Sequence, residues 1–325
     1  MTAEAGPRPV IDMAGMLLDR ECWEAYLLGF AETAEDYFRV FGPRLSRMAG
    51  LDPREFAALA RRDPREAVTW LLSGGAFDLD LDAYAARLAG EGVRHQVLLS
   101  NYRPLRGGGV VNDRVAEFVA KYPTLFEGWG CVDLSDPDGA ITEIRRCAGQ
   151  LGMRGAAVSH FLTAADPLSE GAHAFYDVLE ELGLPLWVHT GHNLSSRLRM
   201  DWCTWRALDA IAVRHPGLVL VAGHGGWPWI PEMMALCQRH PNVYLEFSTY
   251  RPRQMKQPGS GWEPLFAHGT STVRHKILFG GLEWIHGRTT GQLAAETAEF
   301  DIDERCREAW LYGNAARLLG WEEPS

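Results

Sequence analysis

The feature that most constrains this chain is an alternation that begins at residue 93. Short apolar runs rich in β-branched residues take turns with longer stretches in which apolar residues recur at intervals of three and four. The runs are VRHQVLLS (93–100), FEGWGCVD (126–133), RGAAVSH (154–160), LPLWVH (184–189), LVLVAGH (218–224), VYLEFS (243–248) and KILFGG (276–281). An apolar run of this length bounded by turn residues reads as a buried strand, and the intervening three-and-four periodicity reads as a helix. Stretches such as DPDGAITEIRRCAGQL and SEGAHAFYDVLEELG, each ending near a Gly or Pro, are therefore crossover helices. Strands separated by helices pair in parallel, because the connection is too long for a hairpin. With VIDM (10–13) the strands number eight. Eight βα units in a chain of this length fit an α/β fold of the (β/α)8 TIM-barrel type better than a doubly wound sheet, and no GxGxxG follows the first strand. Residues 1–325 are read as a single barrel domain.

Residues 17–75 do not fit the simple count. They carry helical periodicity with starts at Asp52-Pro53 and Asp63-Pro64, and they read as a helical insertion after strand one. The readings of the insertion stay open between a cap over the barrel mouth and a structural role, either extra packing on the outer ring or a homodimer contact.

Charge and composition narrow the partners. With 42 Asp and Glu against 32 Lys and Arg the formal net charge is −10, an unfavourable field for nucleic acid or an anionic membrane. Neither is expected as a partner. The chain has no apolar run long enough to span a bilayer, and MTAEAGPRPVIDM lacks the basic-then-apolar order of a signal peptide, so a cytoplasmic location is expected. The six cysteines lack CxxC spacing and are expected to be reduced thiols.

In a TIM barrel the working residues come from the C-terminal ends of the strands. Those ends supply His160, His189 with His192, His224, Glu246 with Ser248, and Glu283 with His286. Histidine exchanges protons near neutrality and also ligates metals, so several converging on one mouth point to acid/base or metal chemistry. The same loops carry Arg103, Arg106, Arg197, Arg199, Arg251, Arg253 and Arg288, a set suited to gripping a carboxylate. Trp202, Trp205, Trp227, Trp229 and Trp284 would give such a pocket flat apolar walls, although core packing explains some of them equally well.

Three strings, FYDVLEELGLPLWVHTG (175–191), VAGHGGWPWIPEMMALCQRHPNVYLEFS (221–248) and LYGNAARLLGW (311–321), resemble the amidohydrolase-related TIM barrels. The branch they resemble contains aminocarboxymuconate-semialdehyde decarboxylase, and the resemblance spans roughly residues 78–320. It implies a metal-ligand histidine at the end of strand five, His189, and another histidine at the end of strand six, His224. Two departures stand out. The family's His-x-His after Ile-Asp is replaced by Ala14 and Met16, and no His-x-His occurs elsewhere in the chain. The family's strand-eight Asp falls on Leu282, or is approximated by Glu283, within Gly280-Gly281-Leu282-Glu283-Trp284.

A catalytic zinc usually has three protein ligands, and the matched pattern leaves two histidines and a displaced carboxylate. The sequence is therefore read as a metal-independent acid/base enzyme of the lyase, decarboxylase, dehydratase or isomerase type, with no cofactor. Its substrate would be small, anionic and unsaturated or aromatic. His189, His224, Glu283 and His160 are the catalytic candidates, with Glu283 and Glu246 orienting the imidazoles. Arg103, Arg197, Arg251, Trp227, Trp284 and Glu246 are the substrate-binding candidates. One alternative is a metal-dependent decarboxylase or hydrolase holding Zn2+ or Mn2+ on His189, His224 and Glu283. Another is a non-catalytic binding or assembly relative.

Overall fold

The computed structural model describes residues 7–321. The first six residues, on which part of the signal-peptide reading rests, lie outside the described residues. Eight parallel strands run in sequence order: β1 (Val10–Gly15), β2 (Val93–Leu99), β3 (Phe126–Cys131), β4 (Gly155–Val158), β5 (Leu186–His189), β6 (Leu220–Gly223), β7 (Val243–Glu246) and β8 (Ile277–Leu278). The Met13 amide donates to the Phe279 carbonyl (2.9 Å), which brings the two edges together into a nearly closed (β/α)8 barrel. Each strand falls within or beside a run read from the sequence. Most stop short of the predicted end, because backbone at the mouth bends away to place side chains.

The barrel interior is filled by Ile11, Met13, Val97, Trp129, Ala157, Trp187, Val221 and Leu278. Two tryptophans fit there because the residue facing each indole on the next strand is a glycine. A Cβ on Gly155 would lie 2.4 Å from the Trp129 ring, and one on Gly223 would lie 2.1 Å from the Trp187 ring. The Asp12 carboxylate is wholly buried and ties the seam. It accepts from Gln96 Nε2 (2.8 Å), the amides of Ala14 (3.0 Å) and Gly281 (2.7 Å), and Thr290 Oγ1 (3.2 Å). It thus links β1 to β2 and to the segment after β8.

Between β1 and β2 come five helices: α1 (Arg20–Thr33), α2 (Asp36–Met48), α3 (Pro53–Arg62) and α4 (Pro64–Leu71), which make up the insertion, and α5 (Leu81–Gly90), which leads into β2. The two Asp-Pro steps mark helix starts. Asp52 caps α3 and Asp63 caps α4, each side chain accepting a first-turn amide while Pro occupies the position whose N–H would be unpaired anyway. On α1 and α2, Tyr26 with Phe30 and Tyr37 with Phe41 are four residues apart, so each pair shares a face. Those faces cover the barrel mouth. All six cysteines are free thiols. Among the described residues, no helix is long and apolar enough to cross a membrane.

Candidate active site

A cavity of about 320 Å³ opens at the C-terminal ends of the strands. The insertion gives it Tyr26, Phe30, Tyr37 and Phe41, and the barrel loops give it Phe161, Tyr250 and Trp284. His189 and His224 sit among these rings. Their imidazoles meet edge to face with centroids 4.8 Å apart. Phe161 lies 4.6 Å from His189, and Trp187 lies 4.9 Å from His224.

Each imidazole is held by its strand. His189 ends β5, and its Nδ1 is buried without a hydrogen-bond partner. Burial pushes its pKa down to about 3, with the nearby His192 and His160 adding to the effect, so it is a neutral ring at ordinary pH. His224 follows β6 with a left-handed backbone (φ 67°), a strained conformation for a residue with a side chain. Burial, then the neighbouring His189 and His286, keep its pKa well below the usual value. Its Nδ1 lies 2.7 Å from Ser248 Oγ. Beneath it Glu246 is fully buried, and burial raises its pKa to about 8 against the opposing hydrogen bonds from Trp187, Ser248 and the His224 amide.

Other residues expected at the site lie elsewhere. His160 is turned into the helical layer, where Nε2 pairs with the Tyr176 hydroxyl (3.0 Å); Phe161, next in sequence, takes its place at the cavity. Glu283 is held by Arg87 through two bonds (2.9 and 2.8 Å) and by Thr290 through its amide (2.7 Å) and hydroxyl (2.9 Å). Leu282, not Glu283, lines the cavity where the resemblance puts an aspartate, and Met16 lines it where a histidine was expected. Ala14 is buried in the barrel core.

The arginine clamp needs correcting. No arginine lines the cavity among the described residues. Arg103 pairs with Glu32, Arg106 with Glu24 and Arg197 with Glu35, all three acids lying in or between α1 and α2. Arg251 binds Glu296 (2.9 and 3.0 Å from Nε), and Arg199 binds Asp201. The guanidiniums of the first three fasten the insertion to the barrel loops, so they meet carboxylates of the chain itself. Trp227 and Trp284 do line the cavity, Trp227 with its Nε1 donating to the Ser260 carbonyl (3.0 Å). Sequence reasoning passed over the aromatic pairs of α1 and α2, whose four-residue spacing was the available signal, and Tyr250, which carried none.

The sequence model of the amidohydrolase family matches residues 78–321. This chain is a member of the amidohydrolase family. Among curated proteins it is 29% identical to a gamma-resorcylate decarboxylase of Rhodococcus jostii over 65% of this chain and 68% of that one. With a gamma-resorcylate decarboxylase of Polaromonas it is 31% identical over 45% of this chain, spanning about half (52%) of the relative. Among solved structures it resembles an uncharacterised TIM-barrel protein of Bordetella bronchiseptica (TM-score 0.67, 21% identity, 96% and 98% of the two chains). It also resembles a 5-carboxyvanillate decarboxylase of Novosphingobium aromaticivorans with bound manganese (TM-score 0.65, 17% identity, 97% of each chain). This amidohydrolase is therefore an enzyme, and the non-catalytic reading falls away.

The expectation of no cofactor is overturned. The 5-carboxyvanillate decarboxylase and a dihydroxybenzoic acid decarboxylase of Polaromonas both carry manganese. This amidohydrolase has one trio of donors within 4.8 Å of one another among the described residues, Asp177, Glu180 and His215. That trio lies in the outer helical layer, on the helix Glu170–Leu182 and just after the helix Trp205–Arg214. At the mouth the donor set is incomplete. His189 and His224 supply two imidazoles, Glu283 is committed to Arg87 and Thr290, and no third His, Cys, Asp or Glu among the described residues completes a cluster there. The mouth thus falls short of the three protein ligands of an ordinary catalytic site.

Proposed function

We propose that this amidohydrolase is a decarboxylase of a small hydroxylated aromatic carboxylic acid. The observation that carries the reading is the edge-to-face pair of neutral imidazoles, His189 and His224, within an aromatic-walled cavity. The reactions named for the gamma-resorcylate and 5-carboxyvanillate decarboxylases support the same class. A planar ring fills such a cavity by stacking and edge contacts.

The chemistry follows from the protonation states. A neutral imidazole has a free lone pair to accept the phenolic proton of a hydroxybenzoate, and the imidazolium so formed, made more acidic by burial, returns that proton to the ring carbon bearing the carboxylate. The bond from that carbon to the carboxylate then breaks, its electron pair goes back to the ring, and CO2 leaves. Proton and charge balance, since the phenolate product carries the single negative charge that entered as carboxylate. His224 is the residue assigned to this transfer, and His189 packs against it as the second polar contact for the substrate. The apolar wall contributes as well, because a carboxylate stripped of water without a guanidinium partner gains by losing its localised charge. His189 and His224 are two donors at the mouth, one short of the three protein ligands of an ordinary catalytic metal site.

The test is release of CO2 from 2,6-dihydroxybenzoate and 5-carboxyvanillate by protein prepared with manganese supplied, the ion carried by the two relatives. Turnover of either is expected, falling about 10²-fold or more in His224→Ala. Absence of turnover with both, or full activity in His224→Ala, would refute the assignment.

A further inference from the structure

We infer that Ser248 and Glu246 form a fixed relay behind His224 that holds its imidazole in the Nδ1–H tautomer, leaving Nε2 as the basic nitrogen. Three donors converge on one oxygen of Glu246. Oε2 accepts from Trp187 Nε1 (3.1 Å), from the His224 amide (3.3 Å) and from Ser248 Oγ (3.0 Å). The first two groups are N–H donors that can play no other role. An oxygen already receiving both is a poor place for a proton, so the carboxyl proton of Glu246 belongs on Oε1, which has no partner.

The remaining choices are then forced. A serine hydroxyl has one hydrogen, and Ser248 gives it to Oε2. It must therefore accept from the His224 ring across the 2.7 Å contact, which puts the imidazole hydrogen on Nδ1. Ser248 is itself pinned, because its carbonyl accepts from His286 Nε2 (2.5 Å). Glu246 thus grips His224 twice: directly at the backbone N–H, where the left-handed turn presents it, and through Ser248 at the ring. Both anchors are buried, with 0% and 1% of their surface exposed. Neither Glu246 nor Ser248 lines the cavity, so both are positioning residues, and of the three only His224 faces the substrate. A ring locked this way keeps one nitrogen basic without a reorganisation step, the role of the orienting group in acid/base constellations generally.

The tautomer follows from the geometry alone, while its kinetic consequence rests on the proposed decarboxylation, so the two are measured separately. Long-range proton–nitrogen NMR on the full chain labelled at histidine nitrogen is expected to show one ring with protonated Nδ1 and unprotonated Nε2 that disappears in His224→Gln. Ser248→Ala should convert that ring to the other tautomer or a mixture. Ser248→Thr, which restores a hydroxyl, and Glu246→Gln, which keeps an acceptor oxygen, should retain it. A wild-type His224 protonated on Nε2, or a signal unchanged in Ser248→Ala, would overturn the relay whatever the enzyme turns over. With 2,6-dihydroxybenzoate, Ser248→Ala should lower kcat about 10-fold or more with KM within about twofold, and Ser248→Thr should recover most of the loss. An unchanged kcat in a turning-over enzyme would overturn the relay. No turnover in the wild type would sink the decarboxylase reading and leave the NMR result standing.

Discussion

Trp284 offers the sharpest test of how the insertion is seated. It is 7% exposed and lies between the barrel and the insertion, with Trp23 (5.9 Å), Tyr26 (5.7 Å) and Phe41 (5.1 Å) all edge-on to its ring. Burying a tryptophan removes about 150–250 Å² from water, which at ~25 cal/mol per Å² amounts to roughly 4–6 kcal/mol as an upper figure. Trp284→Ala should therefore destabilise by about 3–5 kcal/mol, the range seen for large aromatic deletions. Trp284→Phe behaves differently. The indole Nε1 is buried with no partner, so the substitution loses apolar contact but also removes an unpaired donor that costs about 1–3 kcal/mol. The two effects oppose, and the net change should be within about 1.5 kcal/mol of zero. Urea denaturation followed by tryptophan fluorescence and circular dichroism measures both variants. An alanine cost below about 1 kcal/mol, or a phenylalanine cost equal to that of alanine, would mean that α1 and α2 do not rest on Trp284.

Four further outcomes follow from the same geometry. His160 is buried with its pKa lowered to about 4, so the unfolded chain binds its proton first as pH falls through the ordinary value of 6.5; this residue should cost up to about 2 kcal/mol of stability between pH 7 and 5, relieved in His160→Gln, and denaturation midpoints at the two pH values check it. Glu246 has the opposite sign, since its pKa is raised to about 8 from 4.5: stability present in acid is lost as pH rises towards 8, and Glu246→Gln should flatten that part of the profile. For the arginines and Glu283 the expected losses are structural. Arg103→Ala should leave KM within about threefold because its guanidinium is spent on Glu32, and Glu283→Ala should lower the unfolding midpoint while kcat/KM stays within about threefold; a large rise in KM for Arg103→Ala would return that residue to the substrate.

Much of the architecture was legible along the chain because it depends on local pattern. Buried parallel strands need continuous apolar runs and crossover helices need the three-and-four repeat, so strand count and order could be read directly, and Asp-Pro steps named helix starts by the chemistry of capping. Histidines at strand ends were visible for the same reason, since the end of each run fixes which residue reaches the mouth. What the residues at the mouth do could not be read, because that depends on which partner arrives from elsewhere in the chain. Arg103, Arg106 and Arg197 read as a substrate clamp until α1 and α2 bring Glu32, Glu24 and Glu35 against them. Glu283 reads as a ligand until Arg87, 196 residues earlier, takes both of its oxygens. One residue of helical rotation turns His160 inward to Tyr176 and gives its place at the cavity to Phe161. Periodicity determines which face a side chain occupies; its partner, and so its function, is decided only when distant segments pack, because a hydrogen bond or ion pair forms only where folding brings two groups within about 3 Å.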